Sequence, residues 1–157
     1  MLNIESYIDI LKNENQTKIL SQEGSPVSIS AYKSIYVPDF DSDPECIMHS
    51  LFFKNSTHKR IVALKFGIMV FDAFNSFLSK FSAVSIDDIE PNKTVENSWN
   101  QSCSSPWLYQ TYGTGVVYLD SVRFEDSSFW YFDESEVLDQ IKLIEDSLTK
   151  DSLKDKK

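Results

Sequence analysis

Val62, Leu64, Phe66, Ile68 and Val70 fall on one parity of residues 60–71 while Lys65 falls on the other. A two-residue period of this kind belongs to a strand with one face in a core. Residues 45–53 form a similar run, and Lys54, Asn55, Ser56, Thr57, His58 and Lys59 between them have the composition of a turn. The two runs are therefore predicted to form an antiparallel hairpin. Val27, Ile29 and Ala31 alternate with serines, and Ile35, Tyr36 and Val37 resume before Pro38, giving a first strand pair or one bent strand. After a turn at Asp72, Ala73, Phe74 and Asn75, residues 79–89 supply another strand through Phe81, Ala83 and Ile86. Residues 115–124 carry Val116, Tyr118, Val122 and Phe124 on one parity. Glu125, Asp126, Ser127 and Ser128 then turn the chain into Phe129, Trp130 and Tyr131, a second hairpin.

The period changes at both ends. Ile4, Tyr7, Ile8 and Leu11 recur at helical spacing with Asn3 as N-cap, so a short N-terminal helix is predicted, followed by a polar linker broken by Gly24, Ser25 and Pro26. Val137, Ile141, Ile144 and Leu148 step by four, three and four, the stripe of an amphipathic helix. Asp133 is its expected N-cap and Glu136 the reciprocal partner of a capping box. That stripe is expected to dock on the strands or on a second copy of the chain, which would make a homo-oligomer through this helix, and the charged residues 150–157 are expected to fray. The predicted organisation is a helix and linker over residues 1–25, an antiparallel β-sandwich over 26–132, and a helix with charged tail over 133–157.

Residues 92–112 are polar and rich in Ser and Asn, yet carry Trp99, Trp107 and Tyr109, and are predicted as a long loop with an edge strand. Large aromatics in a polar loop either plug the end of a sandwich or present a binding patch. Trp99, Trp107 and Tyr109 are the residues expected to contact a partner, because loops of this length in compact domains commonly carry function.

Phe53-Lys54-Asn55-Ser56-Thr57, Ala63-Leu64-Lys65-Phe66-Gly67-Ile68 leading to Phe71-Asp72-Ala73-Phe74, Ile89-Glu90-Pro91-Asn92, and Val122-Arg123-Phe124-Glu125-Asp126 ahead of Trp130 occur in that order. Together they resemble the small bacterial immunoglobulin-like β-sandwich domains of the FxLYD type, with Asn92 where a turn glycine commonly follows the proline. The resemblance spans residues 28–130 and leaves both terminal helices outside. It implies a mainly β, immunoglobulin-like fold and a structural or ligand-presenting module, and brings no catalytic residues with it.

Composition narrows the function classes. The chain has 157 residues, 41% of them hydrophobic, enough for a core of its own. Its 15 Lys and Arg against 24 Asp and Glu give a net charge of −9, which repels phosphate backbones and anionic headgroups and favours a basic protein partner. Neither direct nucleic-acid binding nor membrane association is expected. Cys46 and Cys103 stand far apart in a chain that opens without a signal-like segment, which fits the cytoplasm. With 4 glycines and no phosphate-cradling loop, no nucleotide or other cofactor is expected.

Thiol chemistry would need a Cys beside a His, but Cys46 and His49 lie three apart on a strand and so face opposite ways. Asp39, Asp41, Asp43 and Glu45 alternate like a calcium loop, yet Pro44 stands where the loop needs glycine and Ser50 where it needs a bidentate Glu. Paired acids such as Asp87 with Asp88, or Asp120 with Glu125, are ordinary in so acidic a chain. The expected function is a non-catalytic protein-binding or accessory module. The alternatives are a small acidic inhibitor or immunity-type protein on a basic site of a toxin or nuclease and, from another class, a thiol- or metal-dependent hydrolase.

Overall fold

The computed structural model describes residues 15–38, 45–102 and 109–154. The helix expected at residues 4–11, the acidic residues Asp39, Asp41 and Asp43, and Cys103 and Trp107 lie outside the described residues. Eight strands are described: β1 (Gln16–Ile19), β2 (Val27–Val37), β3 (Cys46–Asn55), β4 (Ile61–Asp72), β5 (Phe77–Ser85), β6 (Thr94–Ser102), β7 (Tyr112–Phe124) and β8 (Phe129–Tyr131). They build two sheets, one in the order β1-β7-β4-β5 with β8 also on β7, the other in the order β2-β3-β6. Inward side chains of both sheets, Phe53 against Phe66 at their centre, form one core, and the fold is the mainly β sandwich that the alternation predicts.

The expected β3–β4 hairpin is not formed. β3 pairs with β2 and β6, whereas β4 pairs with β5 and β7, so the chain crosses from one sheet to the other between them. Asn55 holds that crossing. Its buried side chain donates to the carbonyls of Lys59 (2.8 Å) and Ile89 (3.0 Å), while its oxygen accepts from the Thr57 amide and hydroxyl. Turn-forming residues serve a hairpin and a crossover equally, so the alternation marks both strands but not their partners. Asn92, at φ 65°, adopts the left-handed conformation that a glycine would take in this turn.

The expected linker is not purely linker over its described residues, 15–25. β1 pairs in parallel with β7, Gln16 opposite Thr114, in an assembly whose other ladders are antiparallel. All four β1 side chains are exposed; the strand is held by its ladder with β7 and by the Thr17 hydroxyl, which donates to the Tyr32 carbonyl at 2.9 Å, and it leaves no hydrophobic trace in the sequence. Gln22 extends the pairing, its side-chain amide donating to the Leu119 carbonyl and its oxygen accepting from the Leu119 amide.

Register shifts move two parity assignments. Between Leu119 and Ser121 the β7 ladder skips Asp120. Val116 and Tyr118 therefore face away from the sandwich interior, while Val122 and Phe124 face into it. A shift between Ile61 and Ala63 puts Ile61 in the core and leaves Val62 half-buried.

Met69, Phe71, Val116 and Tyr118 make a second apolar layer on the outer face of the larger sheet. A Cβ at Gly67 would collide with the Tyr118 ring, so the glycine lets that ring lie flat on β4. The helix α1 (Glu134–Ile141) covers this layer with Val137 and Ile141, and Leu148, Leu153 and Leu20 complete the cover. The stripe thus docks on its own sandwich. Asp133 caps α1 as predicted, accepting from the amides of Ser135 (2.9 Å) and Glu136 (3.3 Å). Glu136 does not close the capping box, because its carboxylate accepts from the Glu23 amide at 3.1 Å. The helix ends at Ile141, and turns carry the rest of the stripe. Within the tail, Lys150–Leu153 form a short 3₁₀ helix whose Leu153 is buried and whose last carbonyl accepts from the Lys80 ammonium at 2.8 Å, so these residues do not fray.

Candidate functional site

Of the three aromatics predicted to contact a partner, Trp99 has a described side chain, and it faces inward. Along β6 it shares a parity with Val95 and Gln101. Its ring meets Phe66 edge-on at 6.0 Å and its indole N–H donates to the Val84 carbonyl at 3.0 Å, bridging β6 to β5 across the edge of the sandwich. Tyr109 opens a 3₁₀ turn, Tyr109–Thr111, that leads into β7. Trp99→Ala should lower stability by about 2 kcal/mol, from lost packing and a lost hydrogen bond. A thermal melt equal to the parent's would show that the ring does not serve the core.

Between the sheets lies a buried polar chain that the sequence did not announce. His49 has no exposed surface and engages both ring nitrogens, Nδ1 with the Tyr32 hydroxyl (2.8 Å) and Nε2 with Gln101 Oε1 (2.9 Å). Gln101 donates onward to Ser79 Oγ at 3.0 Å, and Ser34 Oγ, 3.3 Å from Nδ1, meets the Tyr112 hydroxyl at 2.6 Å. With Gln101 oriented this way the neutral ring carries its proton on Nε2 and accepts from Tyr32 on Nδ1. Gly115 makes room for the chain, since a Cβ there would collide with the hydroxyls of Tyr32 and Tyr112. Residues from β2, β3 and β6 are thereby tied to Ser79 on β5 and Tyr112 on β7, which fixes one sheet against the other. Cys46 is on the opposite side of β3 from His49, as its spacing requires.

Burial lowers the His49 pKa from 6.5 to about 4, with the Gln101 bond opposing the shift, and burial pushes the Tyr112 hydroxyl up to about 12. Below pH 6.5 the unfolded chain binds a proton at this position that the folded chain refuses until about pH 4. The group therefore supports folding above pH 6.5, and this support is lost as pH falls from 6.5 to about 4, amounting to about 3 kcal/mol. About 2 kcal/mol of it should be gone by pH 5. Urea titrations at pH 7.5 and 5 should show that loss in the parent and a smaller one in His49→Gln; equal losses would show that His49 does not carry it.

The outer face of the larger sheet offers a different feature. Where the cover formed by α1 and its following turns stops, the sheet runs β8-β7-β4-β5 and presents two rows. Tyr131, Ser121, Lys65 and Val84 stand in register across the four strands, and Phe129, Arg123 and Ala63 form the next row. They line a groove of about 360 Å³. Its walls are apolar and bare, with Phe129 54%, Tyr131 67% and Val84 52% exposed, although each would fit a core. The Phe129 and Tyr131 rings are nearly parallel, 5.8 Å apart, and the Arg123 guanidinium lies 5.6 Å from the centre of the Phe129 ring. Trp130, between them in sequence, turns inward onto the core. An exposed apolar patch with aromatic walls and a charged floor is the surface type that marks contact sites. Its sequence signal was a strand with aromatics on both parities, since a strand with one solvent face places polar residues there.

Among the described residues no group of three or more His, Cys, Asp or Glu side chains is placed to hold a metal ion. No described helix is long and apolar enough to cross a membrane. No protein-family model and no curated protein matches the chain. Among solved structures it is similar to a 1.85 Å X-ray structure of a hypothetical protein from Peptoclostridium difficile 630, with a TM-score of 0.56 and 11% identity over 76% of this chain and 93% of that one. An X-ray structure of a Northeast Structural Genomics Consortium target aligns at a TM-score of 0.46 and 13% identity, over 69% of this chain and 81% of the other. At 11% identity the first likeness shows a shared fold alone.

Proposed function

We propose that this domain is a non-catalytic protein-binding module, at home in the cytoplasm, that receives its partner in the groove walled by Phe129, Tyr131 and Val84. The observation that carries this reading is the unequal treatment of one sheet face. One half buries Met69, Phe71, Val116 and Tyr118 under α1 and the segment after it, while the other half leaves large apolar side chains open. Exposed aromatics of this size are costly to solubility unless they serve contact. The net charge of −9 draws basic proteins to the molecule at long range, but the groove itself carries Lys65 and Arg123. With Trp99 turned inward, the groove is a stronger contact surface than the β6 segment.

The test is quantitative affinity purification of tagged protein from its own cells, comparing the parent with Phe129→Ser and Tyr131→Ser combined. Because both side chains are exposed, stability should change by no more than about 0.5 kcal/mol. A specific partner should fall by about ten-fold or more, as for central contact residues. Recovery of the same proteins in the same amounts by both would remove the groove from consideration.

A further inference from the structure

We infer that the groove's occupant is an amphipathic α-helix of another protein whose apolar stripe is flanked by Asp and Glu. This rests on the protein-binding reading and adds the shape and charge of the bound element. The first argument is width. The walls stand on β8 and β5, three strand steps apart, which at the usual spacing is roughly 14 Å. A helix with its side chains measures about 10–12 Å and spans that gap, whereas a lone extended segment would touch one wall. Between the walls of Phe129 and Tyr131 on one side and Val84 on the other, the floor alternates the short Ala63 and Ser121 with the long, charged side chains of Lys65 and Arg123.

The second argument is charge. The chain holds more acids than bases, yet the charged side chains lining this groove are Lys65 and Arg123. Lys65 lies 3.9 Å from Asp120, a carboxylate whose side chain is 12% exposed and which Lys80 also approaches at 3.7 Å. Arg123 sits over an aromatic face, exposed, where a carboxylate from a partner can reach its donors. An acidic flank answers Arg123, and a basic flank would meet it with like charge. The third argument is the chain's own precedent, since α1 already covers the other half of this face.

The experiment titrates ¹⁵N-labelled full-length protein with three synthetic peptides sharing one apolar stripe: a helix flanked by Glu, the same helix flanked by Lys, and the Glu-flanked sequence with a central proline that prevents helix formation. The Glu-flanked helix should shift the amides of Ala63, Lys65, Val84, Ser121, Arg123 and Tyr131. It should bind about ten-fold tighter than either other peptide, lose affinity with salt, and yield to the Lys-flanked helix when Arg123→Glu replaces the parent. The inference is overturned if the Lys-flanked or proline-broken peptide binds the groove as well or better, if no peptide moves these amides, or if they shift with protein concentration alone, which would make a second copy the occupant. Where the peptides fail but purification still loses its partner with the Phe129→Ser, Tyr131→Ser variant, the helix inference falls and the protein-binding reading stands; where purification is also unchanged, both fall.

Discussion

Phe66→Asp should leave the chain unfolded at room temperature, with its β-type far-ultraviolet circular dichroism lost and the protein aggregating or binding hydrophobic dyes. Phe66 has no exposed surface, lies on β4 between β5 and β7, and touches Phe53 at 5.0 Å and Trp99 at 6.0 Å, both edge-to-face. Removing so large a ring costs about 3–5 kcal/mol, and an unpaired carboxylate in its place adds several more. Domains of this size are held by about 5–15 kcal/mol in total. Phe66→Leu keeps an apolar side chain at the site and should retain the fold with a smaller loss of about 2 kcal/mol. If the aspartate variant melted like the parent, the inward face of β4 would have to be the other one.

Ile141→Asp should cost about 4 kcal/mol and act on a different layer. Ile141 is fully buried at the end of α1, against Met69, Phe71, Val116 and Tyr118. A carboxylate there cannot stay docked, so α1 and the segment through Leu153 should lift away. Because the sandwich core lies on the far side of the sheet, the strands should persist at low temperature. Amide exchange should accelerate in α1 and across Met69 and Val116 before it does in Phe53 or Leu51. A variant with the parent's melting temperature and exchange pattern would mean that α1 is a loose appendage.

The strands were legible from their residue types: β2, β3, β4, β5, β7 and β8 all fall where period-two patterning or aromatic β-formers place them. Pairing was not legible, because Asn55 looks the same at a hairpin turn and at a crossing between sheets. Nor were the bulges, since the single skipped residue at Asp120 sends Tyr118 and Val122 to opposite layers while the sequence shows one unbroken parity. β1 escaped because four exposed side chains on a strand held mainly by its ladder with β7 have no hydrophobic pattern. The end of α1 at Ile141 escaped because the stripe continues through turns that bury Leu148 equally well.

The candidate site divides in the same way. That Cys46 and His49 face apart follows from strand parity alone. That His49, Gln101, Ser79 and Ser34 would find each other needs both sheets in place, and four polar residues scattered over the chain carry no local mark of it. Phe129 and Tyr131 were visible as aromatics, but their exposure depends on Trp130 taking the inward position opposite Val122.

The parallel ladder between β1 and β7 has a consequence for how the molecule is made. Gln16 must find Thr114, so β1 lacks its ladder partner until β7, about a hundred residues further on, has been translated. Closing a loop of roughly a hundred residues carries an entropic cost that only a formed β4–β7 ladder can offset. The order of events is therefore expected to run against the order of the sequence, the central strands assembling first, in the milliseconds to seconds typical of such non-local topologies, and β1 closing on them last. Until then the edge of β7 lies open beside a finished core, and the polar, charge-bearing character of Gln16, Thr17 and Lys18 keeps the waiting strand from pairing with another nascent chain.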